Sequence, residues 1–296
     1  MNHFEAASMD SVGVVVVNFN GDGVVERCLR SLLLNTSVAE VVVVDNNSTD
    51  GSVETLKGFV AANKIDARIE IVEANANLGY GRACNLGARR LSSRYILISN
   101  PDIVYEAGAI DRLVEAQVRW DLGGVGPYII NPDNSRYPSV RPFPSLVNAA
   151  MHSLLGEIWP TNPFTKRYRV DFAKVNFKDR WISGASILMP LELYRGVGGF
   201  DHRYFMYMED VDLCRRILDK GFELGYCEEA VATHYQGYSS RQRPYFSAYA
   251  HHRSLAIYAI SDLKGARRLL LPVVLLGVTV RFSIRMASIL MQKLSK

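Results

Sequence analysis

Runs of apolar residues that do not alternate, each followed by a pattern of helical spacing, constrain this chain more than any other feature. GVVVVNFN (13–20) is the first, and Val25, Leu29, Leu32 and Leu33 follow it near helical spacing. AEVVVVDNN (39–47) and RIEIVEA (68–74) read as the next strands, and GYGRACNLGARRLSS (79–93) reads as a helix. YILISNPD (95–102) reads as a strand, AIDRLVEAQVRW (109–120) as a helix and GGVGPYII (123–130) as a strand. A strand with one wet face alternates, whereas a strand apolar throughout is covered on both faces. The pattern therefore predicts an α/β fold: a mostly parallel sheet flanked by helices.

In such sheets ligands bind beyond the carboxyl ends of the strands. Those ends here are Asn18–Asn20, Asp45–Ser48 and Asn100–Asp102, three polar clusters expected along one edge. In VDNNSTDGS (44–52), Asp45 can accept a hydrogen bond from the N3–H of uracil or thymine, while Asn and Ser side chains can hold a ribose. The competing reading is a helix cap, supplied by Ser48 or Asp50. In Asn100-Pro101-Asp102 the strand-end carboxylate suits a divalent ion, Mg²⁺ or Mn²⁺, that bridges phosphates. A plain Asn-Pro-Asp turn is the alternative.

Glu209-Asp210-Val211-Asp212 follows the apolar FMYM. Crowded carboxylates raise one another's pKa, and a base so poised can take a proton from a hydroxyl. Acids also simply favour a helix N-terminus. His234 is a candidate ligand for Mn²⁺, although a lone histidine is more often an ordinary polar residue. Arg241 and Arg243 could neutralise phosphate or merely solvate a loop.

Several classes are disfavoured. There is no G-x-x-x-x-G-K-[ST] and no GxGxxG after the first strand. The four cysteines, Cys28, Cys84, Cys214 and Cys227, form no CxxC pair, so reduced thiols in a cytoplasmic protein are expected. The polar start MNHFEAASMDS gives no export signal. Residues 131–180, proline-rich and then mixed aromatic and basic, are expected to form a lid or acceptor segment rather than sheet.

The net charge of +4 is concentrated at the C-terminus. Beyond Asp262 there are seven bases and no acid, which leaves 27 bases against 30 acids before it. The uncharged run LLLPVVLLGVTV (269–280) is shorter than the roughly 20 residues of a spanning helix. Residues 263–296 are therefore expected to form a basic amphipathic helix on an anionic membrane surface, with packing on the protein's own core as the alternative. Basic charge set in an apolar tail, away from base-stacking aromatics, argues against nucleic acid as a partner.

Taken together, VVVVNFN, VVVDNNSTDGS, NLGYGRACNLG, ISNPD, WISGAS, GGFD and FMYMEDVDLCRR, followed by His234, resemble the family-2 inverting glycosyltransferases of GT-A fold over about residues 12–240. Within that family YPSVRPFPSLVNAAMHSLLGEIWPTNPFTKRYR is similar to the actinobacterial branch that adds L-rhamnose to N-acetylglucosaminyl-diphosphoryl-polyprenol in cell-wall linker synthesis. The resemblance implies a 1–262 catalytic domain, a nucleotide-sugar donor, a polyprenyl-diphosphate-linked acceptor, and a peripheral place on the cytoplasmic face of the plasma membrane. It implies that Asp45 reads the base, with Asn18, Asn20, Asn47, Asn77, Gly79, Arg82 and Asn100 lining the donor pocket. Asp102 and His234 would hold the metal, and Asp210 would be the base. Trp181, Ser183, Gly184 and Glu209 would border the acceptor, and Arg241 the diphosphate. The family often has Asp-x-Asp at the metal site; here Asn100 replaces the first carboxylate. A UDP-sugar donor such as UDP-galactofuranose, a non-catalytic nucleotide-sugar-binding protein, and a homo-oligomer all stay open.

Overall fold

The computed structural model describes residues 10–65, 68–144, 176–235 and 244–294. β1 (Val12–Asn18), β2 (Val38–Asp45), β3 (Ile69–Glu73) and β4 (Tyr95–Ser99) pair in parallel in the order β3-β2-β1-β4. β5 (Ile103–Tyr105), β6 (Gly124–Ile130), β10 (Ser186–Pro190) and β11 (Leu224–His234) continue the sheet as β4-β10-β6-β11-β5. β7 (Val140–Pro142) and β9 (Arg180–Ile182) form a separate antiparallel pair, and β8 (Asn176–Phe177) pairs with β11.

Alternate side chains of β1 enter opposite cores, because successive residues of a strand face opposite ways. Val12, Val14 and Val16 pack with Leu29 and Leu32 of α1 (Val25–Leu32), with Leu56 of α2 (Ser52–Ala62), and with Ile110 and Leu113 of α4 (Ala109–Trp120). Val15 and Val17 pack in a second core with Ala83 and Cys84 of α3 (Tyr80–Ala88), Tyr194 of α5 (Leu191–Gly196), and Leu213 and Ile217 of α6 (Glu209–Asp219). Both faces are covered, as strands apolar throughout require. All four cysteines are buried and free.

WISGASILMP (181–190) holds the end of one strand and the whole of the next. Ser183–Ala185 turn between β9 and β10, and β10 runs antiparallel to β4 with Ser186 opposite Ser99. That reversal positions the site: an antiparallel strand begins at the edge where its parallel neighbours end. The 183–185 turn therefore lies at the edge where β4 and its parallel neighbours end, and the Asn100 N–H donates to Ala185 O at 2.8 Å. β11 is parallel to β6 and ends at the same edge with His234.

The C-terminal region corrects one expectation. The uncharged run 269–280 ends inside α8 (Leu271–Leu294), which continues through Arg281 and Arg285. Together with the preceding 3₁₀ turn, Gly265–Lys293 is long and apolar enough to cross a membrane by length and composition. Flanking arginines bound a hydropathy run but do not stop a helix, since Arg is a good helix former. α8 packs on α7 (Pro244–Asp262), with which Leu271 and Val274 join Ala259 and Leu263. Its other side leaves Val273, Leu276, Val280, Ile284 and Met291 exposed at intervals of three, four, four and seven residues.

Candidate active site

The register of β1 on β2 sets Asn18 beside Asp45. Both are buried, and Asn18 Nδ2 donates to Asp45 Oδ1 at 2.9 Å and to Ser52 Oγ at 2.9 Å. The Ser48 N–H donates to Asp45 Oδ2 at 3.0 Å, and Ser48 Oγ to Oδ1 at 2.5 Å. Asp45 is thus pinned at the strand end, and Oδ2, which accepts the Ser48 N–H, has a lone pair that can accept another bond. Asn20 Oδ1 receives the Thr49 N–H at 2.8 Å, which closes the β1 loop on the β2 loop. Asn20 and Asn47 both have positive φ, 51° and 67°, a conformation that Asn tolerates better than most residues. The cap reading needs correction. Gly51 (φ 81°) is the N-cap of α2, while Ser48 is spent on Asp45. Asp50 Oδ1 still accepts the helix's first N–H, from Ser52.

Asn46, which the sequence reading left without a role, ties this cluster to the next loop. Its Nδ2 donates to Asn77 Oδ1 at 3.0 Å and its Oδ1 accepts the Leu78 N–H at 2.8 Å. Asn77 Oδ1 also accepts the Gly79 N–H at 3.0 Å. Gly79 has φ 82°, and a Cβ there would stand 2.3 Å from Phe205 O, so only glycine fits. Tyr80 N–H then donates to Phe205 O at 2.9 Å, which joins the start of α3 to the FMYM segment. Arg82 is exposed on α3, its Nε donating to His202 O.

Asp102 and His234 are brought together by the antiparallel pairing of β5 and β11, which puts His234 opposite Ile103. His234 Nε2 lies 3.0 Å from Asp102 Oδ1, both side chains being largely buried, and Tyr137 packs edge-on against the imidazole. The contact is a hydrogen bond, and its carboxylate oxygen and imidazole nitrogen are both donor types that Mn²⁺ accepts. Among the described residues no group of three His, Cys, Asp or Glu could hold an ion. The rest of a coordination shell would fall to water and a bound diphosphate, a mode usual for Mg²⁺.

Asp210, half-buried at the first turn of α6, is fixed from two sides. Its Oδ2 accepts the Gly184 N–H at 2.9 Å and its Oδ1 the Val211 N–H at 2.9 Å. A side chain at 184 would crowd it, with a Cβ 3.2 Å from Asp210 Cβ. Tyr80 OH donates to Gly184 O at 2.7 Å, so α3, α6 and the 183–185 turn converge here. The preceding Tyr207 and Met208 both have positive φ, 69° and 67°. Two consecutive non-glycine residues in this region store backbone strain, a feature that clusters at functional sites. Burial raises the Asp210 pKa above the ordinary carboxylate range, opposed by the two N–H donors and by the Arg141 guanidinium. Arg141 stands over the Trp181 ring at 5.4 Å. It lies in the proline-rich stretch, where no local pattern marked it.

Of the other residues read as acceptor-binding, Trp181 is half-buried and donates Nε1–H to Pro142 O at 3.1 Å. Ser183 is buried, its N–H donating to Ser139 O. Glu209 is buried against Gly81 of α3. Arg241 lies outside the described residues, as do residues 145–175 of the lid segment.

Burial, then the Asp210 charge, raises Glu209 from 4.5 to about 8. A folded pKa above the unfolded one adds stability that is full below pH 4.5 and lost as pH rises through 8. Glu209→Gln removes that dependence. Its melting temperature should exceed the wild type's at pH 8.5, with the difference closing by pH 5. Parallel melting curves at both pH values would place Glu209 as an ordinary exposed acid.

The sequence model of glycosyl transferase family 2 matches residues 13–186. The chain is 36% identical over 270 residues to the N-acetylglucosaminyl-diphospho-decaprenol L-rhamnosyltransferase of Mycobacterium tuberculosis, covering 86% of each. Among solved structures, the mannosyltransferase PcManGT of Pyrobaculum calidifontis, in complex with GDP-Man and Mn²⁺, superposes with a TM-score of 0.58 at 19% identity, over 93% of this chain and 75% of that one. GalNAc-T7 with UDP, GalNAc and Mn²⁺ gives 0.59 at 17%, over 77% and 44%.

Proposed function

The chain belongs to glycosyl transferase family 2 and is a glycosyltransferase; on that premise we propose that it moves L-rhamnose from dTDP-L-rhamnose, with inversion, to N-acetylglucosaminyl-diphosphoryl-polyprenol. The reaction would serve cell-wall linker synthesis. The substrate reading rests on the likeness to the mycobacterial rhamnosyltransferase over 86% of both chains. The chemical reading rests on Asp210, held by the Gly184 N–H at the edge where Asp45, Asp102 and His234 also end.

Asp210 accepts the proton of an acceptor hydroxyl. The freed oxygen attacks the anomeric carbon and forms the new glycosidic bond. The bond from that carbon to the donor's β-phosphate oxygen breaks, and its electron pair leaves on the nucleoside diphosphate. No second carboxylate is needed, because nothing is left on the enzyme. Asp45 would accept the N3–H of the base. Asp102 and His234 would hold a divalent ion, which when bound would offset charge on the departing diphosphate.

Thymine and uracil share the N3–H, so Asp45 does not separate dTDP from UDP donors, and a UDP-sugar such as UDP-galactofuranose is the second reading. A panel of dTDP-rhamnose, UDP-galactofuranose and UDP-glucose with a lipid-linked acceptor in vesicles decides. Transfer from a UDP-sugar and none from dTDP-rhamnose would overturn the proposal.

α8 associates with membrane in this reading, lying in the cytoplasmic surface rather than crossing it. Arg281 and Arg285 fall near the middle of Gly265–Lys293, and each costs about 2.5–3.5 kcal/mol at a bilayer centre. The outer stripe of Val273, Leu276, Val280 and Ile284 can instead enter the headgroup boundary. Ile284→Glu, at an exposed position, should cut flotation with anionic vesicles by about tenfold or more. Unchanged flotation would refute the orientation.

A further inference from the structure

α3, the 202–205 loop and α7 enclose a cleft of about 260 Å³ that the proposed transfer step leaves unused. Arg82, Arg203 and Arg253 line it together with Phe205, Phe246 and Tyr249, and no carboxylate is among the described residues that line it. The guanidinium groups are oriented by the loop itself. Arg82 Nε donates to His202 O at 2.9 Å and Arg253 Nη1 to Arg203 O at 2.9 Å. Asp201 pairs with Arg203 at 2.6 Å and offsets one of the three charges. Like charges repel unless an anion joins them, so three arginines lining one cleft, of which only Arg203 is paired with an acid by a short contact, fit a phosphate-bearing ligand.

The aromatic wall says what else that ligand carries. Phe246, Tyr249 and Arg253 are spaced three and four residues apart on one face of α7. Phe246 is 43% and Tyr249 53% exposed, large values for aromatic residues beside a cleft. The wall continues onto α8, where Phe282 stands 6.4 Å from Tyr249 between ring centroids. A cationic pocket that opens along aromatics onto an apolar helix matches an anionic head on a hydrocarbon chain. The cleft also borders the first turn of α3, whose Tyr80 reaches Gly184 beside Asp210.

We propose that this cleft seats the diphosphate of the lipid-linked acceptor, with its prenyl chain against Phe246, Tyr249 and Phe282. The inference rests on the acceptor reading given above. It assigns Arg82, expected beside the donor, to the acceptor, while the donor diphosphate stays with Asp102 and His234.

The test is binding of the full chain to neutral phosphatidylcholine vesicles that carry undecaprenyl diphosphate, without donor, so turnover plays no part. Arg253→Gln should bind them about tenfold or more weakly, the loss expected for one charge-assisted hydrogen bond. Arg253→Lys should recover most of that loss. Tyr249→Ser, at an exposed position, should also weaken binding. On vesicles of matched charge made with phosphatidylglycerol, all variants should bind like the wild type, through α8. Unchanged binding of Arg253→Gln and Tyr249→Ser to diphosphate vesicles overturns the proposal. So does an equal loss on phosphatidylglycerol, or a matching loss of dTDP affinity, which would place Arg253 in the donor site. If the donor panel fails while Arg253-dependent binding persists, the donor reading falls and the cleft stands.

Discussion

Asp210→Asn should lower kcat by about 10²–10⁴, the contribution usual for a positioned general base, and leave dTDP affinity within about twofold. The carboxylate sits between two N–H donors, from Gly184 and Val211. Both donors favour its charged form, and burial works against them by raising the pKa. The result is a carboxylate more basic than an exposed one, and so a better acceptor of a hydroxyl proton. An asparagine offers one acceptor oxygen where two donors wait, so the variant should also melt lower, by a loss of about 1–3 kcal/mol. Rate, nucleotide affinity and melting temperature must therefore be measured together. In the wild type, activity should fall as pH drops through a limb above the ordinary carboxylate range. The residual activity of Asp210→Asn should lack that limb. A folded variant that binds dTDP and transfers within tenfold of the wild-type rate would remove Asp210 from the chemistry.

The second large effect is at Asp102. Asp102→Asn should raise the Mn²⁺ concentration for half-maximal activity by at least about tenfold, since one of the two proposed ligands would lose its charge. Asp102 and His234, 3.0 Å apart, are the two ligands proposed above, and among the described residues no group of three His, Cys, Asp or Glu could hold an ion. A site with so few ligands depends strongly on each. The check is dTDP binding measured calorimetrically with Mn²⁺ and with chelator. Wild type should bind tighter with the ion, and Asp102→Asn should lose that difference while keeping the chelated affinity. Equal wild-type affinities in both conditions would show that metal does not bridge enzyme and donor.

Particular elements show how far the sequence could be read. The strands GVVVVNFN and AEVVVVDNN were legible because a strand buried on both faces must be apolar throughout. α4 was legible to the residue, 109–120, because its apolar spacing is regular. The reversal of β10 at Ser183–Ala185 was not, since its antiparallel pairing with β4 and β6 joins segments distant in the chain. The helical tail was legible over 263–296, but its reach as an apolar segment was counted only to Arg281, where hydropathy breaks and the helix does not. Tyr80, Asn46 and Arg141 escaped notice because each acts through a partner distant in the chain.

What the sequence determined by itself was local: which segments are strands, which polar residues end them, and that Asp45, Asp102, Asp210 and His234 stand out from apolar surroundings. Only the tertiary structure decided how they meet. β1 and β2 in register join Asn18 to Asp45, β5 against β11 sets His234 on Asp102, and the reversed β10 carries Gly184 to Asp210. The same holds for the Arg82, Arg203 and Arg253 cleft, whose members come from three elements. Strand direction and register are properties of pairing between distant segments, and no stretch of residues carries them alone.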